Sequence, residues 1–318
     1  MNEPTLAIDA RGLAKHYGTF AAVTSVDLAV PTGTVHAVLG PNGAGKTTTV
    51  RMLATLTRPT GGTARILGHD IVRDATAVRS LIGLTGQYAS VDNDLSAREN
   101  LTIFARLLGY NRARARARTD ELLEEFSLTG SATKPLKSFS GGMRRRLDLA
   151  ASLIAEPPLI FLDEPTTGLD PRTRVDMWNT VRSLVARGST ILLTTQYLEE
   201  ADELADRITV IDHGTVVAEG SPDELKDSIG HSVLRITVTD PHDTLRAARI
   251  VAGLTGTEAS AATPGTLTAA LASTSEVPEV LLALRAASIG IRDLAIERPD
   301  LNAVFFALTG HPHQKDAA

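Results

Sequence analysis

With 318 residues, of which 43% are hydrophobic, the chain is long enough to bury one large core or two ordinary ones. It contains no cysteine, which excludes a disulfide framework and thiol chemistry. The net charge of −5 argues against a general nucleic-acid binder. The first residues lack a basic stretch followed by an apolar one, so no signal peptide is expected. No run is long and apolar enough to span a bilayer.

The first predicted elements are two strands, Leu6–Leu13 and Ala22–Val30, joined by a turn near Tyr17. Tyr17 is predicted to lie on a short loop, where its aromatic face would stack on a nucleotide base. A half-buried tyrosine at a strand end explains the spacing almost equally well.

The central motif is a glycine-rich loop between an apolar strand, Val35–Leu39, and an apolar helical pattern. In this context G-x-x-x-x-G-K-[ST] indicates a phosphate site, because inward-facing N–H groups and the helix dipole both attract an anion. Lys46 would reach the β- and γ-phosphates, and the Thr47 hydroxyl would bind Mg²⁺. The predicted nucleotide-binding residues are Gly40, Pro41, Asn42, Gly43, Ala44, Gly45, Lys46, Thr47 and Thr48.

The following segments continue the alternation of strands and helices. We expect a strand at Thr63–Leu67, a short helix at about Ala75–Leu81 and a strand that ends at about Gln87. The amide of Gln87 therefore lies where a strand passes into a loop, within reach of a metal ion or its water. Taken alone this indication is weak, because most glutamines at strand ends are merely solvated.

From about residue 90 to residue 155 no strand is predicted, and amphipathic patterns indicate a helical insertion. The expected helices are Ala97–Leu108, Ala113–Phe126 and Gly142–Ile154. Ser140 is a good N-cap for the last of these, and Gly141 and Gly142 leave bare N–H groups. The three residues predict a second anion site that uses a hydroxyl group and a helix dipole. Without further context, an ordinary helix cap explains them better.

That context is a buried parallel strand predicted at residues 159–162, which ends in the adjacent carboxylates Asp163 and Glu164. Because side chains alternate along a strand, the two carboxylates point differently and can hold different roles. We predict that Asp163 binds Mg²⁺, directly or through water. Glu164 is predicted to polarise the water that attacks the γ-phosphate.

The rest of the first domain contains further strands and helices, and a second domain is expected at residues 229–318. The predicted elements of the first are the helix Arg172–Ala186, the strand Thr190–Thr195 ending at Gln196, and a hairpin of Ile208–Ile211 with Thr215–Val217. Those of the second are Val233–Val238, Asp243–Gly253, Thr266–Leu271, Val277–Ser288, Gly290–Ile296 and Leu301–Leu308, alternately strand and helix. This alternation suits a small α+β domain of ferredoxin-like type, with a disordered tail from about residue 311.

The phosphate loop, Ser140-Gly141-Gly142 and Leu162-Asp163-Glu164-Pro165 resemble an ATP-binding-cassette (ABC) ATPase in order and spacing. For residues 1–228 the resemblance implies an α/β P-loop NTPase fold with a RecA-like core, an antiparallel β subdomain and the helical insertion. It also implies that ATP binds between two such domains arranged head to tail. Each P-loop would then be closed by the signature residues of the other domain, which are Ser140, Gly141 and Gly142 in this sequence. By position, Tyr17 would stack on adenine, Gln87 would be the Q-loop glutamine, and Asp170 would cross the dimer interface.

The chain is more closely similar to the ATP-binding subunits of the daunorubicin/doxorubicin-resistance type of exporter. The residues that carry this resemblance are 85–92, Gly141–Asp148, Thr194–Leu198 and Val304–His311. It implies a homodimer that works on a separate membrane permease, peripherally at the cytoplasmic face of the cell membrane. The implied cargo is a hydrophobic drug or antibiotic, or a lipid-like compound.

Two departures from the general family pattern affect the predicted site. Phe139 and Met143 stand where leucine and glutamine are usual, and Met143 cannot donate a conventional hydrogen bond. Gln196 stands where most cassettes carry the switch histidine, and a carboxamide cannot become a cation near neutral pH. We therefore expect Glu164 to carry water activation, while Gln196 senses the γ-phosphate by hydrogen bonding and Lys46 assists catalysis.

Two alternatives belong to other functional classes. A soluble cassette acting on nucleic acid or the ribosome would have tandem cassettes, long insertions or a basic face, and this chain has a single P-loop and an acidic balance. A regulatory cassette that binds ATP without hydrolysing it gains slight support from Gln196. The presence of Lys46, Asp163 and Glu164 argues against it.

Overall fold

The computed structural model describes residues 5–85, 91–228, 232–271, 273–297 and 300–309. It divides into two compact units, Met1–Pro222 and Asp223–Ala318. The division falls at the start of a helix, Pro222–Ser228, whereas the sequence placed the domain boundary after that helix. The predicted tail from about residue 311 lies outside the described residues.

The first unit is built on a ten-stranded sheet with helices between its strands. Its elements are β1 (Leu6–Tyr17), β2 (Phe20–Pro31), β3 (Val35–Leu39), α1 (Lys46–Leu53), β4 (Gly61–Ile66), β5 (His69–Asp70), α2 (Ala75–Leu81), β6 (Ile82–Thr85), α3 (Ala97–Leu107), α4 (Arg112–Glu125), α5 (Gly141–Ser152), β7 (Leu159–Asp163), α6 (Pro171–Ala186), β8 (Thr190–Thr195), α7 (Leu198–Leu204), β9 (Arg207–Asp212) and β10 (Thr215–Gly220). The strand order is β5-β4-β1-β2-β10-β9-β3-β8-β7-β6.

The parallel part of this sheet positions the predicted site. Strands β9, β3, β8, β7 and β6 pair in parallel, and every residue of β3, β7 and β8 is buried. Continuous apolar strands of this kind are covered on both faces. Because the carboxyl ends of parallel strands meet at one edge, the loops after β3, β7 and β8 converge there.

The antiparallel strands β5, β4, β1 and β2 form the other side of the sheet. Side chains of β1 and β2 join the core of the first unit together with α1; among them are Leu13, Val26, Leu28, Val50 and Met52. The predicted β subdomain is therefore confirmed. Its hairpin strands run further toward the turn than the sequence indicated, and this changes the surroundings of Tyr17.

The predicted helical insertion is confirmed as α3, α4 and α5 between β6 and β7. Ser96 begins α3 with a capping box in which Ser96 and Glu99 exchange hydrogen bonds. Asn111 caps α4 and Ser140 caps α5. The sequence did not predict α7, which is seven residues long and has no side-chain cap. None of the helices within the described ranges is long and apolar enough to cross a membrane.

The second unit contains a four-stranded antiparallel sheet and its helices. After α8 (Pro222–Ser228) come β11 (Ser232–Val238), α9 (Thr244–Thr255), β12 (Ser260–Thr263), β13 (Thr266–Leu271), α10 (Val277–Ala286), β14 (Ile291–Glu297) and α11 (Leu301–Thr309). The strand order β12-β13-β11-β14 with a β-α-β-β-α-β chain order is ferredoxin-like, as expected from the sequence, but the strand β12 was not among the predicted elements. Its core joins side chains of the sheet to those of α9 and α10.

His36 is a fully buried histidine in the central strand β3. Its Nε2 lies 2.8 Å from Thr209 Oγ1 of β9. Burial and, to a smaller extent, the positive charge of Arg207 lower the pKa of His36 from 6.5 to about 4. The imidazole is therefore neutral in the folded protein at physiological pH, and its role is structural.

The lowered pKa of His36 leads us to expect that the folded protein loses stability in acid. The folded pKa lies below the unfolded one, so the unfolded state binds the proton first and stability falls as the pH drops from 6.5 toward 4. We expect this group to remove about 3 kcal/mol of unfolding free energy over that window. Denaturant unfolding of wild type and His36→Gln at several pH values measures it. Parallel pH dependence in the two proteins would contradict the assignment.

Candidate nucleotide-binding site

A cavity of about 300 Å³ lies at the carboxyl edge of the parallel strands. Its walls come from the start of β2, the glycine-rich loop, the start of α1 and the turn after β7. The lining residues are Phe20, Ala22, Asn42, Gly43, Gly45, Lys46, Thr47, Thr48 and Glu164. The structure therefore brings residues that lie up to 144 positions apart to one opening, between Phe20 and Glu164.

The backbone of the loop requires glycine at two close approaches. A Cβ at Gly45, where φ is +107°, would lie 2.7 Å from the carbonyl oxygen of Ala22. A Cβ at Gly40 would lie 2.2 Å from the carbonyl oxygen of Ile211. Gly45 is the N-cap of α1 and supplies no side-chain cap, so the first N–H groups of the helix face the cavity rather than a capping oxygen. A cradle of this kind fits a phosphate group.

Lys46 is the cation at the base of this cradle. It is 4% exposed, and its Nζ donates to the carbonyl oxygens of Gly40 at 2.7 Å and Pro41 at 3.1 Å. Its Nζ also lies 3.9 Å from Glu164 Oε1. Burial lowers the pKa of Lys46, while the carboxylates of Glu164 and Asp163 raise it. The side chain thus lies between the loop carbonyls and the acidic end of β7.

Asp163 and Thr47, both predicted as metal ligands, are in direct contact. Thr47 Oγ1 donates to Asp163 Oδ1 at 3.2 Å, and Thr194 Oγ1 donates to the same oxygen at 2.5 Å. The third predicted ligand, Gln87, lies outside the described residues. Within those residues no group of three or more His, Cys, Asp and Glu side chains could hold a metal ion.

Glu164 lines the cavity from a strained turn. Its φ of +49° is in the left-handed region, which costs a non-glycine residue about 1–2 kcal/mol. Its N–H donates to the carbonyl oxygen of Thr194 at 3.1 Å, and Thr167 Oγ1 donates to its Oε2 at 3.3 Å. The backbone of Glu164 is therefore held against β8, while its carboxylate faces Lys46.

The prediction that Tyr17 lies on a loop is wrong. Tyr17 is the last residue of β1 and pairs with Phe20, the first residue of β2, because the strands extend to a tight two-residue turn. The Tyr17 ring is 49% exposed, and Lys15 Nζ lies 4.9 Å from its centroid. Phe20, 63% exposed, is the aromatic residue of this turn that lines the cavity, and the sequence interpretation missed it.

The predicted second anion site does not line this cavity. Ser140 Oγ accepts a hydrogen bond from the N–H of Met143 at 3.3 Å, so within this chain it caps α5. Ser140 and Gly141 are exposed. A Cβ at Gly142 would lie 2.6 Å from Thr173, which explains the need for glycine at that position. The signature residues therefore present an exposed helix start.

Asp170 and Gln196 lie at the starts of two helices that contact each other. Asp170 Oδ1 accepts from the N–H of Thr173 at 3.0 Å, which holds the pKa of Asp170 below its usual value and caps α6. Gln196 is half-buried between β8 and α7. Arg174 of α6 lies over the ring of the next residue, Tyr197, at 5.3 Å. The helix that begins at Asp170 thus holds the segment that carries Gln196.

A buried carboxylate lies at the same helix contact. Glu200 of α7 is fully buried, and burial raises its pKa. Neither of its carboxylate oxygens has a hydrogen-bond partner among the residues that the structure describes. Trp178 belongs to α6 and is 7% exposed. A buried carboxylate without a hydrogen bond therefore lies where α6 and α7 meet.

The P-loop lies at the edge of a parallel sheet, where a lysine, a threonine and a glutamate line one cavity and an aspartate contacts the threonine. This arrangement defines a nucleotide-binding ATPase of the P-loop class. The family model described as ABC transporter matches residues 23–167. Over 98% of its length the chain is 51% identical to the daunorubicin/doxorubicin resistance ATP-binding protein DrrA of Streptomyces peucetius, covering 94% of that protein.

Two further comparisons agree with this class. The chain is 44% identical to the Nod factor export ATP-binding protein I of Burkholderia orbicola over 74% of its own length and 77% of that protein. A dimeric ATP-binding cassette in a post-hydrolysis state with ADP and Pi matches with a TM-score of 0.62 at 26% identity, over 67% of this chain and 98% of that one. The chain belongs to the ATP-binding subunits of ABC transporters, and it is an ATPase subunit of the exporter type.

Proposed function

We propose that the chain powers the export of a hydrophobic drug or antibiotic, or of a lipid-like compound, through a separate membrane permease. Lys46 and Glu164 line one cavity, and Asp163 contacts Thr47 of the same cavity, which supports the ATPase half of the proposal. The names of the relatives, which refer to daunorubicin and doxorubicin resistance and to Nod factor export, support the export half. The subunit would act peripherally at the cytoplasmic face of the membrane.

The residues at the cavity divide the work of phosphoryl transfer. The loop N–H groups hold the phosphates, and Lys46 exchanges its bonds to Gly40 and Pro41 for the β- and γ-phosphate oxygens. Glu164 takes the proton of the attacking water, since its carboxylate faces the cavity and its backbone is fixed. Most of the acceleration comes from positioning and charge stabilisation.

Thr47 and Asp163 fit a Mg²⁺ ion, because hydroxyl and carboxylate oxygens are its preferred protein ligands. Thr47 lines the cavity, and its hydroxyl lies 3.2 Å from Asp163 Oδ1, so the two oxygens are close enough to share one ion. One or two protein ligands suffice, since Mg²⁺ commonly takes its other ligands from phosphate and water. When bound, the ion neutralises charge that develops on the phosphates. Gln87 would supply a further contact.

The second anion site indicates a homodimer. Ser140, Gly141 and Gly142 do not line the cavity of their own chain, although an exposed helix start is suited to an anion. In a head-to-tail dimer these residues would close the P-loop of the partner subunit, and Asp170 would lie at the interface. The solved cassette of similar fold is dimeric, which supports a dimer for this chain.

The export proposal is tested by ATPase activity in membranes that contain this subunit together with a candidate permease. Candidate hydrophobic drugs are added one at a time. Stimulation by a drug, lost in Glu164→Gln, is the expected result. Hydrolysis that responds to neither the permease nor any drug would leave the ATPase in place and overturn drug export.

Stacking of the adenine base on Tyr17 is expected to contribute to the affinity for ATP. A base that stacks on an aromatic ring gains about 1–3 kcal/mol. We therefore expect Tyr17→Ala to raise the Kd for ATP roughly 5- to 150-fold. Isothermal titration of Tyr17→Ala and Phe20→Ala measures the two rings in parallel. If Phe20→Ala had the large effect and Tyr17→Ala had none, the base would lie on Phe20, and the role of Tyr17 would be wrong.

Removing the Gln196 carboxamide is expected to lower the rate of ATP hydrolysis, and because this group does not titrate it should leave no inflection in the pH profile of kcat. A hydrogen bond to a charged group is worth about 1.5–3 kcal/mol, so Gln196→Ala should slow hydrolysis roughly 10- to 150-fold. Gln196→His should add an inflection near the histidine pKa of about 6.5 to the pH profile of kcat. Unchanged hydrolysis and unchanged ATP-driven dimerisation in Gln196→Ala would show that Gln196 does not sense the γ-phosphate.

A further inference from the structure

Arg145 extends from the signature helix α5 to the backbone of the catalytic turn. Its Nη2 donates to the carbonyl oxygens of Asp163 at 2.8 Å and Glu164 at 3.1 Å, and its Nε donates to that of Pro165 at 3.0 Å. These three carbonyls are consecutive and belong to the end of β7 and the turn after it. One guanidinium group therefore holds the whole turn that carries both catalytic carboxylates.

The turn needs such support because Glu164 is in the left-handed region. A backbone conformation of this kind persists only where the surroundings hold it. The rigid fork of a guanidinium fixes the direction of several acceptors at once, which a lysine ammonium does less well. Contacts from β8 hold the N–H side of Glu164, and Arg145 holds its carbonyl side. These two sets of contacts together fix the backbone of Glu164 and therefore the direction of its carboxylate.

The charge of Arg145 is kept in a partly buried position. Burial lowers the pKa of Arg145, while the carboxylates of Asp148, Asp163, Glu200 and Glu164 raise it. An arginine stays protonated in this balance. The carbonyl groups therefore accept from a cation, which makes these hydrogen bonds stronger than neutral ones.

The neighbouring arginines of the same helix have different partners. Arg144 Nη2 donates to the carbonyl oxygen of Leu136 at 3.0 Å, and Arg146 Nη1 donates to that of Phe126 at 3.3 Å. Both carbonyls belong to the helical insertion. The run of three arginines therefore joins α5 to its own subdomain through the two outer members and to the catalytic turn through the middle one.

We propose that Arg145 is a positioning residue: it fixes the direction of the Glu164 carboxylate so that this group can activate water. Arg145 does this from α5, the helix that Ser140 caps. The inference rests on the proposed function, in which Glu164 is the base and Ser140 serves the nucleotide of the partner subunit. Each protomer then links its own catalytic turn to the helix that contacts the other nucleotide. Arg145 does not line the nucleotide cavity, so it acts through Glu164.

The test is a double-mutant cycle between Arg145 and Glu164. Single-turnover hydrolysis of radiolabelled ATP is measured for wild type, Arg145→Gln, Glu164→Gln and the double variant, with Arg144→Gln as the matched control on the same helix. A misplaced catalytic group of this kind can cost about 10²-fold in rate. We expect that loss for Arg145→Gln in the wild-type background, with the Kd for ATP nearly unchanged. In the Glu164→Gln background we expect no further loss, since a residue that acts through another is not additive with it.

Arg145→Lys keeps the charge without the fork and should recover part of the rate. Thermal unfolding shows whether Arg145→Gln is folded. If it is not, Arg145→Lys replaces it in the double-mutant cycle. An equal fold loss in both backgrounds, or a wild-type rate in Arg145→Gln, would overturn the role of Arg145 and leave the proposed function in place. A wild-type rate in Glu164→Gln alone would overturn both the role of Arg145 and the assignment of Glu164 as the base, so the two failures are distinguishable.

Discussion

Glu164→Gln is expected to lower the kcat of ATP hydrolysis about 10²–10⁴-fold, the range attributed to a general base. The carboxamide keeps the shape of the side chain and can still contact Lys46 and Thr167, so the turn should remain folded. It cannot accept the proton of the attacking water. Affinity for ATP should be retained, and the ATP-bound dimer should accumulate because hydrolysis no longer opens it.

Phosphate release and size-exclusion chromatography with ATP measure the two effects of Glu164→Gln. Glu156→Gln is the matched control, since Glu156 precedes the same strand at its opposite end and its side chain is 73% exposed. It should hydrolyse ATP like wild type. Rapid hydrolysis by Glu164→Gln would assign water activation to another group and would remove the reason for the strained turn.

Lys46→Ala is expected to abolish measurable ATP binding and hydrolysis. The side chain is buried, and loss of its charged contacts to the phosphates should cost about 1.5–3 kcal/mol for each hydrogen bond. Two such bonds correspond to roughly a 10²- to 10⁴-fold rise in Kd. The bonds of Lys46 to Gly40 and Pro41 are also lost, so the loop should become less ordered.

Titration calorimetry with ATP measures the affinity of Lys46→Ala, and thermal unfolding shows whether the variant is folded. Lys134→Ala removes an exposed lysine of the helical insertion and should behave like wild type in both measurements. Near-wild-type affinity in a folded Lys46→Ala protein would mean that the backbone cradle alone holds the phosphates. The proposed contact between Lys46 and the γ-phosphate would then be wrong.

Sequence reasoning succeeded where the chemistry is carried by consecutive residues. The phosphate loop and the two carboxylates at the end of β7 each adjoin a strand in the sequence, so their positions in the fold were predictable, and the parallel sheet then brings the two edges together. The α+β class of the second unit followed from the alternation of strand and helix, although β12 was missed. Such patterns are local, so the sequence displays them directly.

The remaining features depend on partners that are distant along the chain. Tyr17 was placed on a loop because its pairing with Phe20 reflects the extent of the whole hairpin rather than any local signal. The contacts of Arg145 join α5 to a turn 18 to 20 positions away, and three consecutive arginines look alike in sequence. Their different partners are fixed by the packing of α5 alone.

The contact between α6 and α7 gives the protein a built-in optical reporter. Trp178 is the one tryptophan in the sequence, it is almost fully buried, and it lies beside Glu200 at this contact. Its emission therefore arises from a single environment, between the helix that begins after Asp170 and the helix that follows Gln196. With no native cysteine to compete, one introduced thiol can carry an acceptor dye. Movement of these two helices during the ATP cycle can thus be followed by fluorescence in a protein changed at a single surface position.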